Sequence, residues 1–177
     1  EMQLLEQEQR ITDVPYNPAY PVGTAWDLGR NDTNVIWFFQ QIGDTVCFID
    51  CLGESSVALL PDPARPEERS WIGLVRSKPY NYDHSKVTPP LTKGTYEVHY
   101  GPHDLLVHEY SSNKTRKGMA LEHGFRFTDL PHPGPGGLAD GLATTRRLLR
   151  RAVFDKVKCV RGLSALRSYR REFNEVT

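Results

Sequence analysis

Two neighbouring runs of β-branched and aromatic residues constrain the fold of this chain more than any other feature. They read TNVIWFFQQ at residues 33–41 and DTVCFIDCL at residues 44–52, and side chains of this kind favour β-strands. The segment Ile42-Gly43-Asp44 between them predicts a tight hairpin turn. Because both runs are almost continuously apolar, we expect strands that are covered on both faces, at the centre of a sheet.

The remaining sequence alternates strand and helix signals. A short strand is predicted before the hairpin at residues 22–28, and further strands follow at 95–100 and 125–130. Helices are predicted at 67–77, 113–123, 138–153 and 160–173, with proline-rich loops at 79–94 and 131–137. An antiparallel three-strand meander followed by alternating strands and helices predicts an α/β fold, with a mixed sheet flanked by helices. This order resembles the ribonuclease H-like arrangement.

The domain organisation follows from length and from the proline content near the N-terminus. A chain of 177 residues suits one domain with a hydrophobic core. The prolines of VPYNPAYP exclude a helix there, so residues 1–21 are predicted as an extended lead-in that ties residues 22–177 to a preceding domain. No apolar run approaches the ~18–20 residues that cross a bilayer. With no signal peptide and no disulfide pattern, we expect a cytoplasmic rather than a secreted protein.

The net charge is zero, but the C-terminal part of the chain is basic. Residues 141–177 hold ten Lys and Arg residues against three acidic residues, a surplus that attracts a polyanion. A solvated helix face explains the same pattern, and charge alone does not separate the two interpretations. Seven basic residues on two predicted helices are the candidates for contacts to DNA phosphates: Lys114, Arg116, Lys117, Arg146, Arg147, Arg150 and Arg151.

Two acidic residues at predicted strand ends carry the strongest chemical signal. Asp27 lies in TAWDLG near the end of the first strand, and Asp104 follows the fourth strand in PHD. If these strands are neighbours, as the predicted topology requires, both carboxylates project from the same end of the sheet. Two hard oxygen ligands held together form a natural Mg²⁺ or Mn²⁺ site. Two such ions ~3.5–4 Å apart can clamp a phosphodiester for attack by water. The alternative for Asp27 is that it only caps a turn.

Three further residues have more than one interpretation. His103 adjoins Asp104 and is a candidate general base, although neighbours on a strand point to opposite faces and its imidazole can instead pack inward. Glu54 is expected to begin a helix near the metal, where it either binds the ion or supports a residue that does. Asp140 lies where a helix N-cap belongs, and a metal-binding role is its second interpretation.

Four segments together resemble the nuclease half of phage terminase large subunits: TAWDLGRNDTNVIWFFQ, GPHDLLVHEYSSNKTRKGMALEHGF, LADGLATTRRLL and CVRGLSALRSYRREFNE. They occur in the family's order and span most of the chain. The resemblance implies an endonuclease that cuts concatemeric double-stranded DNA with Mg²⁺ or Mn²⁺ during viral genome packaging. It also implies a preceding ATPase domain, a portal and a small terminase subunit as partners, and action in the host cytoplasm during phage assembly. ATP hydrolysis by this chain is excluded, since it has no phosphate-cradling GxxxxGK[ST] loop.

The resemblance assigns metal binding to Asp27 and Asp104, the pair that the strand argument also selects. The family's third aspartate usually lies in a helix beyond the YRREFNE-like segment, so we expect this chain, which ends at Thr177, to lack that final helix. Asp140 is the substitute if another acid completes the site. Two alternatives to an active nuclease stay open. One is a catalytically incomplete DNA-binding or docking module of the motor, and the other is a resolvase-like nuclease that acts on branched DNA or hybrids.

Overall fold

The computed structural model describes residues 1–28, 34–62, 64–65, 69–83, 98–108, 113–128, 130, 134 and 137–168. A 3-10 helix at His103–Leu106 follows the fifth strand. In chain order, the other helices and strands are α1 (Met2–Gln7), β1 (Ile11–Thr12), β2 (Gly23–Asp27), β3 (Asn34–Ile42), β4 (Thr45–Glu54), α2 (Trp71–Arg76), β5 (His99–Tyr100), α3 (Arg116–Glu122), β6 (Phe127–Thr128), α4 (Gly137–Leu149), β7 (Ala152–Asp155) and α5 (Val160–Ser168).

The hairpin of β3 and β4 forms the centre of the molecule, as the two apolar runs predict. The strands pair antiparallel along their whole length, with one irregularity between Phe38 and Phe39. Gly43 in the connecting turn has a φ of 57°, a left-handed conformation that glycine adopts without steric strain. The tight turn at this position is therefore confirmed.

The strands form one mixed sheet in the order β1-β7-β4-β3-β2-β5-β6. Of the seven described strands, β3 alone runs against the others, because it is antiparallel to β4 and β2 while the remaining pairs are parallel. The parallel strands share a carboxyl end of the sheet, where Asp27 closes β2 and Glu54 closes β4, and an amino end, where Thr45 and Ala152 begin their strands. The predicted α/β fold, a meander extended by parallel strands and flanked by helices, is confirmed.

The N-terminal segment differs from the extended lead-in that the sequence predicts. Residues 2–12 form α1 and β1, and β1 joins the sheet through parallel pairing of Ile11 with Phe154 of β7. Leu5 of α1 is fully buried. The strand β7 was also not predicted, since Ala152 and Val153 continue the spacing of the helix before them. Both strands are so short that pairing between distant parts of the chain decides their conformation.

Helices α2 and α3 begin later than the sequence predicts because polar caps set their first residues. Ser70 Oγ accepts from the Gly73 N–H before α2, and Thr115 Oγ1 accepts from the Gly118 N–H before α3. The predicted continuation of α5 to residue 173, residues 95–97 of the fourth strand and most of the two predicted loops lie outside the described residues. Within the described part of the chain, no helix combines the length and the apolar character that a membrane span requires.

Separate apolar clusters cover the two faces of the sheet. On the first, which we call face one, Trp26 and Phe38 pack with Trp71 of α2. On the second, face two, Phe154 packs with Leu163 of α5 and with the buried part of α1. Burial of a side chain of this size stabilises the fold by about 1.5–3 kcal/mol. The sheet is thus held from both sides, and its strand ends are rigid positions on which a site can be built.

Candidate metal centre and nucleic-acid interface

Asp27 and the segment that carries Asp104 lie side by side at the carboxyl end of the sheet. β2 and β5 pair in parallel, with Ala25 opposite Tyr100. β2 ends at Asp27, while the chain beyond Tyr100 enters the 3-10 helix His103–Leu106, which contains Asp104. The expectation that these two strands are neighbours is confirmed. One detail differs, because Asp104 lies in a short helix rather than at the end of the strand itself.

Asp27 projects from face two of the sheet. Its neighbour Trp26 packs on face one against Phe125 and Phe127, with ring centroids 5.4 and 5.1 Å away, and the Trp26 Nε1 donates to Thr24 Oγ1 at 2.6 Å. Successive strand residues point to opposite faces, so the anchoring of Trp26 directs Asp27 the other way. Asp27 is exposed, and its carboxylate forms no ion pair or hydrogen bond with any side chain that the structure describes. This carboxylate is therefore available as a hard oxygen ligand.

A tight turn after β5 brings the chain into the 3-10 helix. A Cβ atom at Gly101 would collide with the side chains of Leu105 and Phe127, so this close approach requires glycine. His103 opens the short helix and is exposed. The expectation that His103 packs inward assumed a continuing strand, and its exposure leaves the imidazole at the surface beside the position of Asp104.

Glu54 also lies at the carboxyl end of the sheet, but it is engaged elsewhere. Its carboxylate forms an ion pair with Arg69. The prediction that Glu54 begins a helix is wrong, because the strand continues to this residue and the next helix, α2, begins well after it. Gly53 lies on face two with the buried Cys51, so alternation assigns Glu54 to face one, opposite the face of Asp27.

Asp140 lies in the first turn of α4 and is exposed. The helix begins at Gly137, so the N-cap interpretation is wrong, and the acid instead lies near the positive end of the helix dipole. α4 connects β6 to the parallel strand β7, so it runs back from the carboxyl end of the sheet to the amino end. Its first turn is therefore on the side of Asp27. Among the side chains that the structure describes, no three His, Cys, Asp or Glu residues are grouped as metal ligands.

The basic residues of α3 lie next to the 3-10 helix. Arg116 and Lys117 occupy the first turn of α3, and Lys117 lines a narrow cleft together with His103. Lys114 precedes the helix, and its Nζ forms an ion pair with a Glu122 carboxylate oxygen at 2.6 Å. Both side chains of this pair are more than half exposed, so water screens their attraction. The three basic residues are thus on the Asp104 side of the candidate metal centre.

The arginines of α4 lie at the other end of the sheet. Val46, near the start of β4, donates its backbone N–H to the Arg151 carbonyl oxygen at 3.0 Å. At about 3.3 Å per residue, the distance along β4 from Val46 to Glu54 is roughly 26 Å. The structure therefore separates from the acidic pair the four arginines in the last turn of α4 and directly after it, which we call the α4 arginines: Arg146, Arg147, Arg150 and Arg151.

Arg161 is a residue near this site to which the sequence analysis gave no role. It lies in the first turn of α5, and its Nη1 donates to the carbonyl oxygen of Gly53. Gly53 is opposite Val35, which in turn is opposite Asp27. The sequence signal that could have drawn attention to it is Gly162, since a glycine inside a helix often marks close packing against a neighbouring element.

The strand order β4-β3-β2-β5-β6, with β3 antiparallel, defines a ribonuclease H-like fold. The solved structure of the P22 large terminase nuclease domain is similar to this chain, with a TM-score of 0.58 and 18% sequence identity. The match covers 93% of this chain and 77% of that one. At this identity the similarity establishes the fold, and at that level the resemblance seen in the sequence is confirmed. No protein-family model and no curated protein matches the sequence.

Proposed function

We propose that this chain is the endonuclease domain of a viral DNA-packaging motor, which cuts concatemeric double-stranded DNA with the help of Mg²⁺ or Mn²⁺. The parallel pairing of β2 with β5 carries the proposal, since it sets the exposed carboxylate of Asp27 beside the segment of Asp104. The fold of the P22 large terminase nuclease domain supports it. We propose with it a preceding ATPase domain, the portal and the small terminase subunit as partners, in the host cytoplasm.

Asp27 and Asp104 are the residues proposed to hold the metal ions. Carboxylate oxygens are the ligands that Mg²⁺ and Mn²⁺ prefer, and Asp27 suits this role because no described cationic side chain neutralises it. Asp140 is the candidate for a third ligand, since its helix begins at the carboxyl end of the sheet, the end at which Asp27 lies. When bound, a pair of ions activates the attacking water and stabilises the departing oxygen of the phosphodiester.

The other residues of the proposal bind and orient the DNA. Lys114, Arg116 and Lys117 contact phosphates on the Asp104 side, which gives affinity without reading the sequence. His103 is the candidate general base beside Asp104, and Glu54, held by Arg69, supports the end of β4 rather than binding metal. The α4 arginines form a separate basic surface that contacts flanking DNA; they are Arg146, Arg147, Arg150 and Arg151.

Cleavage of supercoiled plasmid DNA tests this proposal. We expect nicked and linear products with Mg²⁺ or Mn²⁺ and none with EDTA. Asp27→Asn should lower the cleavage rate by more than about 100-fold, the upper range for residues that merely support a metal ligand. Asp44→Asn is the matched control, because it changes an exposed acid in the hairpin turn at the other end of the sheet. Undiminished cleavage by both Asp27→Asn and Asp104→Asn would overturn the assignment.

A second function is supported by the four exposed arginines in the last turn of α4 and directly after it, because they can bind DNA phosphates without any metal centre. A non-catalytic module of the motor would bind DNA with strong salt dependence and would not cut it, whichever divalent ion is added. A resolvase-like nuclease would instead cut four-way junctions or RNA–DNA hybrids faster than linear duplex. The same assay, run over these three substrates, separates the possibilities.

A further inference from the structure

A row of paired residues across three strands links Asp27 to Arg161, with Asp27 at one end of the row and the contact of Arg161 at the other. Asp27 in β2 is opposite Val35 in β3, and Val35 is opposite Gly53 in β4. The guanidinium of Arg161 donates to the carbonyl oxygen of Gly53. Neighbouring strands are about 4.8 Å apart, so the main chain at Gly53 is about 10 Å from that at Asp27.

Close packing of α5 against the sheet fixes the position of Arg161. A Cβ atom at Gly162 would collide with the Trp37 ring and the Cys51 Sγ, so the helix can lie this close only because this residue is glycine. The next residue, Leu163, is buried in the face-two cluster. The main chain that carries Arg161 is therefore held against the sheet on the face from which Asp27 projects.

The positive charge of Arg161 is available to a ligand. The side chain is exposed, and it has no acidic partner among the described residues. Arg167 in the same helix differs, because Glu6 binds it at 2.9 Å. Asp155, the nearest acid along the chain, already accepts hydrogen bonds from three backbone amides. The single bond to Gly53 leaves further N–H donors on the planar guanidinium.

We propose that Arg161 binds a backbone phosphate of the DNA strand that is cut beside Asp27. This inference rests on the proposed nuclease function. A guanidinium offers two parallel donors that match two phosphate oxygens. Phosphates of one strand rise about 3.4 Å per nucleotide along the helix axis, so a point about 10 Å from Asp27 lies within a few nucleotides of the metal centre. Arg161 thus sets the direction in which the strand runs along the carboxyl end of the sheet, from β2 toward β4 and away from α3.

Equilibrium binding of a short fluorescent DNA duplex, measured in EDTA, tests the role of Arg161. Arg161→Ala should weaken binding about tenfold, as expected for a charged hydrogen bond, and should reduce the slope of log Kd against log salt by about one. Arg161→Lys keeps the charge but not the paired donors, so it should recover part of the affinity. Arg167→Ala, the control in the same helix, should change Kd by less than about twofold because Glu6 neutralises its guanidinium.

Cleavage kinetics separate this inference from the nuclease assignment. A raised KM with kcat nearly unchanged in Arg161→Ala supports a binding role. If cleavage depends on Asp27 but Arg161→Ala binds and cuts as Arg167→Ala does, then Arg161 only caps the Gly53 carbonyl, and the inference fails alone. A lower melting temperature with unchanged Kd leads to the same conclusion. If the parent chain binds no duplex DNA, the inference and the proposed function fail together.

Discussion

Two aspartates that end strands of the same sheet have opposite surroundings. Asp155, the last residue of β7, is 8% exposed and accepts from the backbone N–H groups of Val14, Val157 and Lys158 at 3.1, 3.0 and 2.7 Å. Asp27, the last residue of β2, is exposed and contacts no described side chain by hydrogen bond or ion pair. The same residue type at the same place in a strand is structural where amides converge on it. Where they do not, it remains available to a ligand.

The regions around these two residues show the same contrast. On the β7 side, the N-terminal segment folds back onto the sheet, and Arg10 donates to the carbonyl oxygens of Leu149 and Ala152. On the β2 side, Asp27 ends its strand without an ion pair or hydrogen bond to any side chain that the structure describes. We therefore expect substitutions near β7 to change stability and substitutions near Asp27 to change chemistry. The following predictions test that division, beginning with the largest expected effect.

Leu5→Ala should lower the free energy of unfolding by about 3 kcal/mol, because it leaves a cavity in the face-two cluster where Leu5 is fully buried. Urea denaturation measures the change. Leu4→Ala is the matched control, since Leu4 is 40% exposed and its substitution should cost less than about 0.5 kcal/mol. Equal effects for the two variants would mean that α1 is peripheral, and the β7 side would not be the rigid half of the comparison.

Asp155→Asn should lower the free energy of unfolding at neutral pH by about 2 kcal/mol, because one acceptor oxygen becomes a donor that faces a backbone amide. Burial raises the pKa of the Asp155 carboxyl, but the amides of Lys158, Val14 and Val157 outweigh it and hold the pKa below its ordinary value. This contribution to stability is therefore present above the unfolded-state pKa, about 3.9, and is lost as the pH falls through the folded-state pKa.

Thermal unfolding of the parent chain and of Asp155→Asn, measured at pH 7 and near pH 3, checks the sign of this linkage. The difference in melting temperature should be largest at pH 7 and should shrink in acid, where the parent carboxyl becomes protonated. A difference that grows as the pH falls would show that the amides do not favour the ionised form.

Asp27→Asn should change the free energy of unfolding by less than about 0.5 kcal/mol, the range for exposed positions without special contacts. It is the smallest expected effect on stability, in the variant with the largest expected effect on cleavage. Calorimetry on the same preparation used for the plasmid assay gives the comparison directly. A loss of more than about 1 kcal/mol would place Asp27 among the structural aspartates.

The fold could be predicted where its signal is local and not where distant segments decide it. β3 and β4 are long, apolar and joined by a glycine turn, so their sequence specifies them almost alone. β1 has two residues, and its conformation depends on Ile11 meeting Phe154 at the far end of the chain. No local pattern in either segment identifies the other, which is why a lead-in and a long helix were predicted instead.

The candidate site was predictable to a similar degree. Asp27 and Asp104 were selected because each follows a predicted strand and the predicted topology makes the two strands neighbours. A strand-end acid alone is not sufficient, since Asp155 occupies such a position and is structural. The α4 arginines were harder to interpret, since sequence shows that they share a helix but not the end of the sheet at which that helix finishes. The proximity of Arg161 to Asp27 could not be predicted, because it depends on strand register. Only the pairing of Gly53 with Val35 and of Val35 with Asp27 places the Arg161 contact in line with the Asp27 position.

The row from Gly53 to Asp27 also bears on which nucleic-acid shapes this domain can accept. Main-chain hydrogen bonds set the spacing between strands, so side-chain substitution does not alter the separation of these two residues. With Arg161 as the phosphate contact, the duplex must present two phosphates whose spacing matches this fixed separation. A-form hybrids differ from B-form DNA in groove width and depth. The spacing of their phosphates would therefore not match the fixed separation of Asp27 and Gly53. Selection of duplex shape would then reside in the backbone of the sheet and be inherited by every variant that keeps the fold.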